Sequence, residues 1–130
     1  LMSTIEVATR NLSGPALDWA VAKCEDKNSA LHDDGITRCI VIVAPSGLYK
    51  GRWRPSTDWS QGGPIIEREK FTLVFRDLGH ASYWFSEAKE PYQENRYISG
   101  EGPAPLIAAM RCYVTSKLGG TVQLPKGMAP

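Results

Sequence analysis

The sequence predicts an α+β fold: a mainly antiparallel sheet with two helices packed on one face. Three observations point to it. Apolar residues recur with the helical period toward the two ends of the chain, β-branched and aromatic runs occupy the middle, and the links between those runs are short, which favours antiparallel neighbours. At 130 residues the chain makes a single domain, 1–130, long enough to bury roughly two thirds of the surface its unfolded form would expose.

Ile5 to Ala8 reads as a short edge strand leading into a helix over Pro15 to Glu25. Ser13 is a suitable N-cap, Pro15 sits in the first turn where its missing N–H costs nothing, and Leu17, Ala20, Val21 and Cys24 recur at i, i+3, i+4 and i+7. Trp19, at the border of that stripe, either closes the core edge or faces a site. From Asp26 to Arg38 the composition turns polar, with Asp33-Asp34-Gly35 as a turn, and an exposed loop is expected.

Cys39 to Ala44 is a continuous β-branched run, as in a strand buried on both faces, and Pro45-Ser46-Gly47 turns it into Leu48 to Trp53 as a hairpin. Phe71 to Phe75 and Ala81 to Phe85 are two further strands, antiparallel through Asp77-Leu78-Gly79-His80. The polar residues Ser86 to Gly102 read as loop, with at most a short strand near Arg96-Tyr97-Ile98. Pro103 and Pro105 open a second helix carrying Leu106, Ile107, Met110, Tyr113, Val114 and Leu118, with Lys117 in its last turn and Gly119-Gly120 as its stop. Thr121 to Leu124 is a final short strand.

An apolar fraction of 42% and a charged fraction of 22% are those of an ordinary soluble domain. Fifteen basic residues against fourteen acidic ones leave a net charge of +1, so no specific nucleic-acid signature is present. The three cysteines, Cys24, Cys39 and Cys112, are an odd number without C-x-x-C spacing and read as packed thiols of a reducing compartment. No window approaches the ~18 apolar residues of a membrane span, and the first ten residues show no basic segment followed by an apolar run. A cytoplasmic protein without membrane contact is expected; monomer and homo-oligomer are both compatible with the sequence.

The stretch Trp53 to Glu69 stands apart, because it concentrates aromatic, guanidinium, hydroxyl and amide groups around Gly62-Gly63-Pro64 with little apolar period. Aromatic faces stack bases, guanidinium forks hold phosphates, and exposed backbone N–H groups cradle anions. The candidate ligand-binding residues are therefore Trp53, Arg54, Ser56, Thr57, Asp58, Trp59, Gln61, Gly62, Gly63 and Arg68. The scaffold alternative has both tryptophans in the core, Ser56 or Thr57 capping a turn through Asp58-Trp59-Ser60, a positive-φ turn at Gly62-Gly63, a helix start at Pro64, and Glu67-Arg68-Glu69-Lys70 as a solvated helical face.

Catalysis has less support. The only histidines, His32 and His80, fall in a polar loop and a turn, and neither Ser56 nor Thr57 has a local base. No zinc or di-metal spacing occurs, Asp33-Asp34 reads as a solvated turn, and Gly62-Gly63-Pro64 lacks the residues of a P-loop or dinucleotide fingerprint. No cofactor is expected.

Three blocks carry a family resemblance: Leu12-Ser13-Gly14-Pro15-Ala16-Leu17-Asp18-Trp19-Ala20-Val21-Ala22-Lys23-Cys24-Glu25, then Pro55-Ser56-Thr57-Asp58-Trp59-Ser60-Gln61-Gly62-Gly63-Pro64-Ile65-Ile66-Glu67-Arg68-Glu69, then Pro105-Leu106-Ile107-Ala108-Ala109-Met110-Arg111-Cys112-Tyr113-Val114. In this order they resemble the hallmark stretches of the phage-encoded NinX-like family, while 26–52 and 77–102 match weakly. Lys70 stands where the resemblance leads one to expect glycine. The resemblance implies tailed bacteriophages and prophages, hence the cytoplasm of the infected bacterial host, and brings no mechanism.

The expected function is that of a phage accessory protein without catalytic activity, binding a small anionic or nucleotide-like ligand through residues 53–69. Sequestration of a host signalling nucleotide follows by analogy of context and size. The alternative is an interaction module that modulates a host or phage protein through an exposed aromatic surface. With no ligand set for a metal in view, incubation with a chelator should leave the melting temperature unchanged. A stoichiometric metal found by elemental analysis would reopen the enzyme reading.

Overall fold

The computed structural model describes residues 3–90, 93 and 95–128. In chain order these form β1 (Thr4–Ala8), α1 (Gly14–Cys24), β2 (Ser29–Asp33), β3 (Arg38–Val43), β4 (Tyr49–Trp53), α2 (Trp59–Glu69), β5 (Thr72–Asp77), β6 (Ser82–Lys89), β7 (Tyr97–Gly102), α3 (Pro105–Leu118) and β8 (Thr121–Pro125). The class is α+β and every strand pairing is antiparallel, as predicted. The single sheet with two helices on one face is corrected: the strands form three sheets, β1–β8, β2–β3–β4 and β5–β6–β7, and the described residues hold three α-helices.

Two segments expected to be loop are strand. β2 arises within 26–38 because Ser29 to Asp33 pair in register with Arg38 to Ile42, the bend between them held by Asp33 and Asp34. Asp34 Oδ1 accepts the N–H groups of Ile36 (2.9 Å) and Thr37 (2.6 Å), and these bonds hold its carboxyl below the usual range. Likewise β6 runs on to Lys89 and pairs with β7 from Trp84↔Gly102 to Lys89↔Tyr97; residues 91, 92 and 94 of the predicted loop lie outside the described residues.

The glycines that disguise β7 are there because α3 lies on them. A Cβ on Gly100 would overlap the Ala108 carbonyl oxygen and the Cys112 amide nitrogen, and one on Gly102 would meet Ile107 Cγ2 at 2.8 Å. Across the helix, Met110, Tyr113 and Val114 join the core with Leu17, Ala20 and Val21 of α1, Ile40 of β3, and Val122 and Leu124 of β8. Leu106, Met110 and Val114 are all buried, as their period predicts. Trp19 is half-buried against this core, which settles it as a core-edge residue.

Local chemistry departs from expectation at three helix ends. Ser13 holds the N-cap position of α1, but its hydroxyl caps nothing. The N-cap of α2 is Asp58, not Ser56 or Thr57: its Oδ1 accepts from Ser60 N–H at 2.9 Å and Ser60 Oγ at 2.7 Å, which holds the carboxyl below its ordinary value. The helix then runs straight through Gly62, Gly63 and Pro64, with neither glycine at positive φ. At the far end Lys70 adopts the left-handed conformation, φ 58° and ψ 44°, where glycine would avoid a cost of about 1 kcal/mol.

Cys39 and Cys112 are buried and Cys24 half-buried, all as free thiols. Burial pushes Cys24 up to about 12 and Cys112 up to about 11. Because Gly100 is opposed by helix backbone rather than by a movable side chain, Gly100→Ala should destabilise the protein by about 3 kcal/mol or more. Chemical denaturation measures it, and an unchanged midpoint would contradict the packing of α3 on β7.

Candidate functional site

The residues between β4 and α2 form the wall between two clefts. Their backbone is set by a turn in which Thr57 and Asp58 donate to the Arg54 carbonyl at 3.1 and 2.7 Å. Gln61 reaches back from α2, its Oε1 accepting the Arg54 N–H at 2.6 Å and its Nε2 donating to the Arg52 carbonyl at 2.8 Å. Gly62 permits the approach, since a Cβ there would overlap the Pro55 carbonyl oxygen and lie 2.7 Å from Leu106 Cδ2. Asp58, Gln61 and Gly62 are thus scaffold, and the two glycines free no backbone amides: Gly62 N–H donates to the Asp58 carbonyl at 2.9 Å.

On one side of the wall lies an open cleft of about 380 Å³ with a mixed polar and apolar lining. Gly14, Pro15 and Asp18 of α1, Ile36 to Cys39 at the start of β3, and Arg54 and Thr57 line it. Asp18 is only 4% exposed, and its Oδ1 accepts the Ser56 N–H at 2.9 Å. Burial raises its pKa to about 6, against the opposing pull of the Ser56 N–H, the nearby Ser56 hydroxyl and the Arg54 charge. That hydroxyl is close enough to act electrostatically but meets no partner in hydrogen-bond geometry.

Two guanidinium groups border this cleft. Arg38 is partly engaged, donating from Nη2 to the Gly127 carbonyl at 2.9 Å with Nε 3.7 Å from Asp33 Oδ2. Arg54, among the described residues, has no carboxylate within ion-pair distance of its side chain. No histidine lines the cleft, and His32 instead sits on β2 with Nε2 3.4 Å from Asp34 Oδ2. Among the described residues no three His, Cys, Asp or Glu side chains gather at metal-binding geometry.

Across the wall is a smaller, more apolar cleft of about 230 Å³, lined by Ser56, Thr57, Trp59, Ala104, Pro105, Leu106 and Ile107. Trp59 is 53% exposed here, whereas Trp53 is 7% exposed in the core with Lys27 Nζ 5.0 Å from its ring centroid. The tryptophans expected to act alike are therefore divided, one scaffold and one surface.

Arg68 belongs elsewhere. Its Nη1 and Nη2 donate to Glu25 Oε1 and Oε2 at 3.0 and 2.8 Å, Nη2 also meets Tyr113 Oη at 3.1 Å, and Tyr113 donates to Glu25 Oε2 at 2.5 Å. Burial acts to raise the Glu25 pKa, but the bonds from Arg68 and Tyr113 outweigh it and hold the carboxyl below its usual value. This triad ties α2 to α1 and α3.

Of the ten predicted site residues, then, Arg54, Ser56, Thr57 and Trp59 border the clefts. Asp58, Gln61 and Gly62 position them, Gly63 lies along the Trp59 ring, and Trp53 and Arg68 serve the core and the helix tie. Sequence reasoning missed Asp18 and Arg38. An acid inside the apolar stripe of α1 was the available signal for Asp18; Arg38 had none, since the segment holding it was read as loop.

Fold and clefts together define a small α+β domain with an arginine-bordered cleft beside one lined by Trp59. The chain belongs to the family described as Bacteriophage P22, NinX, whose model matches residues 8–117. Both clefts and all three resembling blocks fall inside that range. No curated protein matches the chain at significant similarity. Among the described residues no helix is long and apolar enough to cross a membrane.

The raised pKa of Asp18 has a defined consequence for stability. Between the unfolded value near 3.8 and the folded value of about 6 the native state holds more protons at Asp18, so the contribution of this group to stability is fullest below that window and falls as pH rises through it, by roughly 3 kcal/mol in all. Asp18→Asn should remove this dependence and stabilise the protein at pH 7. Denaturation midpoints at pH 4, 5, 6 and 7 test it, and parallel curves for the two proteins would refute the assignment.

Proposed function

We propose that the protein is a non-catalytic phage accessory protein that holds a small anionic or nucleotide-like ligand in the cleft beside Asp18. The observation that carries this reading is Arg54, whose guanidinium borders an open cleft with no carboxylate within ion-pair distance among the described residues. A ligand oxyanion supplies what Arg54 lacks, in a charge-assisted and geometrically forked bond. Arg38 adds a second positive charge at the same mouth. Asp18, when ionised, accepts from a hydroxyl or amino group of the same ligand, so the cleft suits a molecule with an anion and a donor close together.

The cleft lining holds no histidine, and its one carboxylate, Asp18, already accepts the Ser56 N–H, so retention of the ligand is favoured here over its turnover. Retention without chemistry is the behaviour of a sequestering protein, and a host signalling nucleotide is a ligand of suitable charge. A second reading, a surface for a protein partner, is favoured by the exposed Val74, Phe75 and Leu78 around the edge strand β5.

Calorimetric titration with inorganic phosphate and a nucleotide panel, including cyclic dinucleotides and cyclic ADP-ribose isomers, tests the leading reading. Arg54→Ala should weaken binding by about 1.5–3 kcal/mol, more than tenfold in affinity, with the melting temperature unchanged. No heat with any member of the panel would remove the reading and leave the protein-partner surface in front.

A further inference from the structure

We infer that the ligand of the Arg54 cleft carries a planar heteroaromatic ring, seated across the wall against Trp59 with its acceptor edge toward the first turn of α3. This rests on the anion reading of the Arg54 cleft and decides between a simple anion and a nucleotide-like molecule.

Three features of the apolar cleft bear on what it holds. The first is Trp59, which lies along Gly63 of its own helix and leaves half its surface in solvent. An indole face in that position is a stacking platform for any base. The second is the start of α3. Ala104 at the N-cap offers no side-chain acceptor, no acid stands in the first turn, and Pro105 has no N–H. The first helical bond here is Ala108 N–H to the Ala104 carbonyl at 3.1 Å, and among the described residues the N–H groups of Leu106 and Ile107 meet no acceptor.

The third feature is independent of the helix end. Ser56 is 2% exposed, lines this cleft, and its hydroxyl has no hydrogen-bond partner. A buried hydroxyl left without a bond is unfavourable unless something else completes it. Ring carbonyls and ring nitrogens of a nucleobase are acceptors that suit this hydroxyl and the two free N–H groups, while the flat ring covers Trp59. Phosphate alone meets only the arginines of the neighbouring cleft and leaves all three features unmatched. Thr57 lines both clefts, so a sugar phosphate passing over it joins a ring on one side to an anion on the other.

Calorimetry on the intact protein separates this inference from the reading beneath it, with inorganic phosphate, ribose 5-phosphate, the four common nucleoside 5′-monophosphates and cyclic dinucleotides as titrants. The best nucleotide should bind about tenfold or more tighter than ribose 5-phosphate. Trp59→Ala, at an exposed position and with its melting temperature checked, should bring the nucleotide down to the level of the sugar phosphate, and Trp59→Phe should restore part of the difference. Ser56→Ala should lose a few-fold for nucleotides only, whereas Arg54→Ala should weaken sugar phosphate and nucleotide alike. Equal affinity for ribose 5-phosphate and every nucleotide, or a nucleotide preference that survives Trp59→Ala, overturns the ring inference and leaves the anion site standing. Binding of none of the titrants overturns both.

Discussion

Helix α3 is enclosed on nearly all sides, and that enclosure depends on its backbone touching the backbone of β7. On one side Ala108 and Cys112 meet Gly100, with no room for a single added carbon; on the other, Met110, Tyr113 and Val114 reach α1 and the strands beyond it. Packed interiors transmit such a displacement instead of absorbing it. Were α3 to stand off by a methyl group, it would be pushed toward α1 while the β5–β6–β7 sheet lost its cover. The remaining elements are arranged around this contact, including the start of α3 that opens into the apolar cleft.

A second set of constraints is polar and holds α2 at both ends. At its C-terminal end, Arg68, Glu25 and Tyr113 join three helices through bonds of 2.5 to 3.1 Å. At its N-terminal end, Asp58 and Gln61 fix the turn that carries Arg54 to Thr57. Between α1 and that turn stands Asp18, whose burial is unfavourable at neutral pH despite the Ser56 N–H. A group kept at a cost in stability, at the edge of an open cleft, is where function is expected to lie.

The clefts explain why the central stretch has a mixed composition. Only part of it faces solvent-filled space, and the rest builds the wall that keeps the guanidinium of Arg54 and the indole of Trp59 on opposite sides. A ligand that uses both has to be extended and chemically two-ended. Membership of the family described as Bacteriophage P22, NinX brings no mechanism with it, and the proposed one rests on the clefts alone.

Local pattern alone determined the elements whose signals lie within a few residues of one another: α1 and α3 from their apolar period, and the β3–β4 and β5–β6 hairpins from their short turns, with β1 and β8 marked as short strands beside the helices. The sequence also marked 53–69 as the region of interest and carried its family resemblance. What only the tertiary structure decided were features set by a distant partner. Gly62, Gly100 and Gly102 look like turn residues until the helix or carbonyl against each is known. β2 becomes a strand because β3 supplies its ladder. Trp53 and Trp59, of one residue type and six positions apart, part company because one is the buried last residue of β4 and the other the exposed first residue of α2. Arg54 and Arg68 separate for the same reason: Glu25 and Tyr113, remote in sequence, occupy one guanidinium, and the other is turned to a cleft whose far wall comes from α1 and β3.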